Sequence, residues 1–63
     1  MAKHETLERV EIELDYNEDG LLRWLVTPVM RHHGRLVSVP DTKGWAERMD
    51  AEIEKARIIE QSN

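Results

Sequence analysis

Two adjacent histidines, His32 and His33, are the first residues of this chain whose type could do chemistry. Imidazole is a common metal ligand and a common acid–base catalyst. Because neighbouring residues of a strand point to opposite sides, these two rings cannot easily bind one ion together. The third histidine, His4, is far away in the sequence, and the carboxylates show no metal-ligand spacing. We therefore expect no metal site and interpret the histidine pair as part of a polar turn.

The residue types of this chain also do not indicate covalent or acid–base catalysis. Serine occurs only at positions 38 and 62, cysteine is absent, and the three glycines are isolated rather than grouped in a phosphate-binding loop. Glu11 and Glu13 should share one exposed strand face, whereas acid–base catalysis needs two carboxyl groups in different environments. We expect a protein that is not an enzyme and uses no cofactor.

The element that should position most side chains is a β-hairpin. Apolar and charged residues alternate from Arg9 to Tyr16, as in a strand with one buried face. Asn17 suits the start of a type I turn, and Gly20 suits the left-handed position that follows it. This loop places Tyr16 opposite Leu22. It also gathers seven apolar side chains on one face: Val10, Ile12, Leu14, Tyr16, Leu22, Trp24 and Val26.

A second hairpin is predicted around the histidine pair. A two-residue turn at His33 and Gly34 places Met30 opposite Val37 and requires a positive φ at His33, which histidine tolerates better than most residues. Pro28 has no amide hydrogen to donate. We expect it where the middle strand stops pairing with the first strand and starts pairing with the third.

The C-terminal third predicts a helix from about Thr42 to about Gln61, with Asp41 or Thr42 as its cap. Its apolar residues recur at helical spacing, and we expect this stripe to face the sheet: Trp45, Met49, Ile53, Ala56 and Ile59. Met30, Val37 and Val39 should join the hairpin residues beneath it. Leu7 and Ile58 fall outside this predicted core.

The predicted architecture is α+β: a three-stranded antiparallel β-meander with one C-terminal α-helix packed on one face. We divide a single small domain into a disordered start at 1–5, a meander at 6–39 and a helix at 41–61. One helix cannot cover both faces of a sheet. The uncovered side, which we call the outer sheet face, should then be open and partly apolar, and we expect a protein partner to bind there through Leu21, Arg23, Leu25, Val29, Arg31 and Leu36.

A chain of 63 residues buries only about 60% of its unfolded surface, so self-association would relieve its size problem. We therefore expect a non-enzymatic regulator or inhibitor that binds another protein and forms a homodimer through the outer sheet face. Its size and composition are typical of accessory proteins from phages and plasmids. Without cysteine, a signal peptide or a long apolar run, it is expected in the cytoplasm and away from membranes.

DNA binding is the alternative that the charge pattern leaves open. The net charge is −4, but residues 21–48 carry five Lys/Arg against two Asp/Glu, a local charge of +3. The predicted topology resembles that of plant AP2-type domains and of the arm-binding domains of phage and transposon integrases, which lay the sheet on DNA, but no sequence motif of these domains is found here. Acidic residues of the first strand on the same face oppose this use. The candidate contacts are Arg23, Arg31, His32, His33, Arg35 and Lys43.

Overall fold

The computed structural model describes residues 5–62 and contains three strands and one helix. They are β1 (Glu5–Tyr16), β2 (Leu22–His32), β3 (Arg35–Ser38) and α1 (Arg48–Gln61). The strands form one antiparallel sheet in the order β1-β2-β3, and α1 packs on one side of it. The predicted α+β meander is confirmed. Residues 1–4 of the segment expected to be disordered lie outside the described residues, and Glu5 already belongs to β1.

The first hairpin has the predicted register. Tyr16 lies opposite Leu22, and the pairing continues to Ile12 and Val26. The amide of Gly20 donates to the carbonyl of Asn17 at 3.0 Å, which closes the expected turn, and Gly20 has a φ of +77°. The Asn17 side chain accepts from two further amides in the loop. Local turn chemistry therefore sets which side chains share a face.

The second hairpin is also confirmed, but the role of Pro28 is only partly as expected. His33 and Gly34 form the two-residue turn with φ values of +50° and +81°. β2 pairs with β1 along its whole length, with Pro28 opposite Val10, so pairing with β1 does not stop at the proline. The Pro28 carbonyl accepts a hydrogen bond from the Val39 amide, so the polar backbone groups of Pro28 point away from β1. The amide hydrogen that proline lacks would point the same way, and its absence therefore costs no hydrogen bond to β1.

A β-bulge in β1 changes which residues reach the helix. The register shifts between Leu7 and Arg9, so that Glu8 is the extra residue. This shift puts Leu7 on the same face as Val10, and both Leu7 and Ile58 pack against the core. The expectation that these two side chains lie outside the core is wrong. For Leu7 the reason is the bulge, which strict alternation along β1 cannot include, and for Ile58 it is the rotation of α1.

Beyond β3, the chain follows the other edge of β2 in an extended path. Trp24 and Trp45 exchange two backbone hydrogen bonds of 2.8 and 2.9 Å. Nearer to β3, the carboxylate of Asp41 accepts from the amides of Val26, Lys43 and Gly44. The predicted cap and helix start are therefore wrong. Asp41 is bound to the sheet, and α1 begins only at Arg48, after an N-cap residue that makes no side-chain capping bond.

The core is smaller than predicted. Its buried centre is Val10, Val26 and Ala51, with partly buried Ile12 and Trp24 beside it. A helix of 14 residues is about 21 Å long, whereas a strand of 12 residues extends about 40 Å. The ends of the helix-facing side are left uncovered, and five predicted core residues are exposed there: Leu14, Tyr16, Leu22, Val37 and Val39.

We expect Gly44→Ala to lower the free energy of unfolding by about 3 kcal/mol or more. Gly44 has a φ of +72°, and a Cβ there would lie 2.6 Å from Leu25 Cδ2 and 3.0 Å from the Trp24 carbonyl oxygen. Gly20→Ala is the matched control, because its φ is +77° but nothing lies within 4 Å, and it should cost about 1 kcal/mol. Urea unfolding measures both, and equal losses would contradict the close contact.

We expect Asp41→Ala to cost about 2–3 kcal/mol, because three backbone amides, including that of partly buried Val26, lose their acceptor. Asp19→Ala is the control, since that loop carboxylate makes no hydrogen bond within residues 5–62 and should change stability by less than about 0.5 kcal/mol. Urea unfolding compares the two variants. A similar small effect of both would show that the edge of β2 does not depend on Asp41.

Candidate protein-binding surface

The outer sheet face is covered at its centre. Leu25 is only 8% exposed and Val29 only 3% exposed, so the predicted exposure of these two side chains is wrong. Leu25 is covered because the chain returns across the edge of β2, where the backbone of Gly44 lies against the side chains of Leu25 and Arg23. Val29 lies in the middle strand, between Arg9 of β1 and Ser38 of β3.

The remaining predicted partner-binding residues do not form one apolar patch. Leu21 and Leu36 are about half exposed, but Leu21 follows the first hairpin loop and Leu36 lies at the other end of the sheet. Arg23 donates to the carbonyl of Leu22. Arg31 donates two hydrogen bonds of 3.3 Å to the carboxylate of Glu8. The structure therefore separates the six predicted residues into buried, charged and scattered apolar groups.

The bulge residue Glu8 is held by an arginine of the next strand. The hydrogen bonds from Arg31, and then its positive charge, lower the pKa of Glu8 below its usual value of 4.5. Both side chains are well exposed, so water and salt weaken this pair. Its effect is local: it neutralises one of the two arginines that were expected to project from the outer sheet face.

Three of the six residues proposed for DNA contact lie beside carboxylates of the same chain. His32 Nδ1 lies 3.2 Å from Glu5 Oε1, and Lys43 Nζ lies 3.8 Å from Glu18 Oε1. The rings of His32 and His33 pack edge to face, with centroids 4.3 Å apart. The predicted contact set is thus spread over the basic turn, the strands and the 41–45 segment, and three of its members are paired with acids.

The helix also exposes large apolar side chains. Of the fourteen residues of α1, Ala51 alone is buried. Met49 is 74% exposed and Ile53 is 57% exposed, so the prediction that this stripe faces the sheet is wrong. We call the exposed apolar side chains of α1 the exposed stripe, and they are Met49, Ile53, Ala56 and Ile59.

The phase of the helix explains this reversal. Trp45 is held in an extended conformation by Trp24, so α1 enters from the edge of the sheet and not from above it. Ala51 then makes the closest approach, because its small side chain lets the helix backbone reach Val10 and Val26. Ile58, seven residues later, lies on the same side. The seven-residue spacing of Ala51 and Ile58 is the one sequence signal that could have found this face.

Beside the helix, an apolar groove runs along the β3 side of the same sheet face. A cavity of about 260 Å³ in this groove is lined by Pro28, Val39, Trp45 and Ile58, among others. Val37 and Val39 remain about half exposed further along it. The carboxyl-bearing residues Asp41 and Glu54 also line the groove. This surface is concave and partly polar, in contrast to the convex exposed stripe.

Comparison of the sequence with models of protein families finds no match, and neither the curated proteins nor the solved structures include one with significant similarity. Between residues 5 and 62, the structure holds no group of three or more His, Asp or Glu side chains arranged to bind a metal ion. The helix in this range is too short and too polar to cross a membrane. The physical character of the surfaces is therefore the basis for a functional proposal.

The Glu8–Arg31 pair predicts a pH dependence of stability. Because the pKa of Glu8 is lowered in the folded state, its contribution is full above its usual 4.5 and is lost as pH falls through the folded-state value. We expect the difference in unfolding free energy between wild type and Glu8→Gln to shrink from about pH 6 to about pH 3. Glu60→Gln, which removes an acid without an ion pair in the described chain, should show no such change. A constant difference for Glu8→Gln, measured by urea unfolding, would contradict the pairing.

Proposed function

We propose that this protein is a non-enzymatic regulator or inhibitor that acts by binding another protein, and that it binds through the exposed stripe of α1. The outer sheet face is not retained as the main surface, because its central side chains are covered by the chain itself. The stripe carries thioether and aliphatic groups, which bind by packing and do not transfer protons.

The observation that carries this proposal is the exposure of Met49 and Ile53, at 74% and 57%. Water contact with large apolar side chains costs free energy, and a contiguous apolar patch of this kind usually marks an interface. These residues lie on a regular helix whose opposite side is fixed by buried Ala51. The surface is therefore already ordered before binding, which reduces the entropic cost of association.

The charges around the stripe suit a protein partner. Arg48 and Glu52 form one exposed pair along α1, and Glu54 and Arg57 form another. An apolar centre with a polar rim of both signs is the usual composition of a protein–protein interface. A surface for DNA would need several uncompensated cations instead. DNA binding by the basic turn stays a prediction, and the carboxylates beside Arg31, His32 and Lys43 do not favour it.

Site-specific photo-cross-linking in the native host tests which surface binds. A benzophenone amino acid replaces Ile53 on the exposed stripe or, as the matched control, Glu13 on the outer sheet face. We expect a discrete adduct from position 53 and none from position 13. Excess unlabelled wild-type protein should suppress the adduct, whereas an Ile53→Glu competitor should not. A covered residue such as Leu25 is unsuitable for this test, because replacing it disturbs its packing against Gly44.

Two results would contradict the proposal. An adduct confined to position 13 would return the interaction to the outer sheet face. If neither position gives an adduct that wild-type protein suppresses, neither of these two surfaces binds a protein partner, and the proposal is wrong. Far-UV circular dichroism of each variant, compared with wild type, shows that the sheet and helix are retained.

A further inference from the structure

We infer that, in the absence of the other protein, the exposed stripe binds a second copy of this chain, with the two α1 helices packed antiparallel. This inference rests on the proposed function only in taking the exposed stripe as a protein-binding surface. It adds self-association that competes with the other protein for this surface, and it adds the register of the two helices. The argument comes from the charges that flank the stripe.

The charged residues of α1 are arranged to complement an antiparallel copy of themselves. At about 100° per residue, Asp50 and Arg57 lie together on the flank of the stripe beside Ile53. An antiparallel pair related by a two-fold axis brings like flanks together. If the axis passes between positions 53 and 54, Asp50 lies opposite Arg57 of the second copy, and by symmetry this contact forms twice.

Asp50, which lacks an ion pair within the chain, would then gain one. It makes no ion pair with any residue between 5 and 62. Exposed Arg57 lies 3.2 Å from Glu54. The guanidinium of Arg57 has further donors that a second carboxylate can accept from.

The apolar residues fit the same register. The axis lies next to Ile53, so the two copies of this side chain meet at the centre of the seam. Met49 of one helix then packs near Ala56 of the other, where the small methyl group permits close approach of the helices. Antiparallel packing also opposes the two helix dipoles, which is electrostatically favourable.

A parallel pair of helices fits less well. It would place the two Glu60 side chains against each other, because Glu60 lies in line with Met49 and Ile53 on the outer side of α1. It would also place Glu52 against Arg57 of the second copy, although both residues already have partners within the chain. Asp50 would be left without an ion pair. The antiparallel arrangement keeps the two Glu60 side chains at opposite ends of the interface.

The association should be weak and reversible. One pair of helices of 14 residues buries less than the roughly 1,600 Å² of a standard interface. We expect a dissociation constant on the order of 10 µM. Sedimentation equilibrium from about 1 to about 500 µM spans this range, and the apparent mass of wild type should rise from one chain to two.

Charge reversal tests the register. Asp50→Arg and Arg57→Asp should each weaken self-association about tenfold or more, because each places like charges opposite one another across the seam. An equimolar mixture of the two variants should associate as wild type does, since both contacts then join opposite charges. Glu13→Arg on the outer sheet face is the control and should associate normally. Circular dichroism checks that each variant keeps its helix, which matters for Asp50 in the first helical turn.

The outcomes separate this inference from the proposed function. A wild-type mass of one chain at every concentration overturns the second copy as the occupant, while a cross-link from position 53 to a different protein would leave the proposed function standing. If Arg57→Asp dissociates and Asp50→Arg does not, the helices are parallel and the register is wrong. If Ile53→Glu stays associated, the copies meet through another surface, and the assignment of this interface is wrong as well.

Discussion

The two backbone hydrogen bonds between Trp24 and Trp45 are the contact on which the rest of this structure depends. They extend the sheet past the short third strand and hold residue 45 in an extended conformation. The helix can then start only after this point, and its direction and rotation follow from where it leaves the sheet edge. The chain passes so close to β2 at residue 44 that this position needs both the positive φ and the small volume of glycine. Asp41 supports the same edge by accepting three backbone amides.

The rotation of the helix places some of its apolar residues against the sheet and leaves others exposed. Small Ala51 and the more distant Ile58 hold the helix against Val10 and Val26. The bulkier side chains at 49 and 53 are left in water. A chain of 63 residues has little apolar surface to spare, so this distribution favours binding over monomer stability. The interaction surface proposed for this protein is a direct consequence of how α1 is attached to the sheet.

The outer sheet face shows the opposite outcome. Its alternation suggested an open apolar surface, but Leu25 is covered by a segment that lies some twenty residues later in the chain. Arg31 and His32 lie against Glu8 and Glu5 of the neighbouring strand, so the positive charge of Arg31 is largely compensated. What remains is a charged face with two separated leucines. The alternation along the strands assigned these residues to the correct side of the sheet, but it could not predict which of their side chains are exposed to solvent.

The sequence by itself determined the two hairpins, because their turns depend on contacts between residues only a few positions apart. Asn17 with Gly20, and His33 with Gly34, specify loop lengths, and the loop lengths specify every cross-strand partner outside the bulge. The rotation of the helix was decided only by the tertiary structure. Two faces of α1 carry apolar residues at helical spacing, and the periodicity favoured the larger side chains. The choice between the faces came from hydrogen bonds between residues about twenty positions apart, which no local pattern encodes.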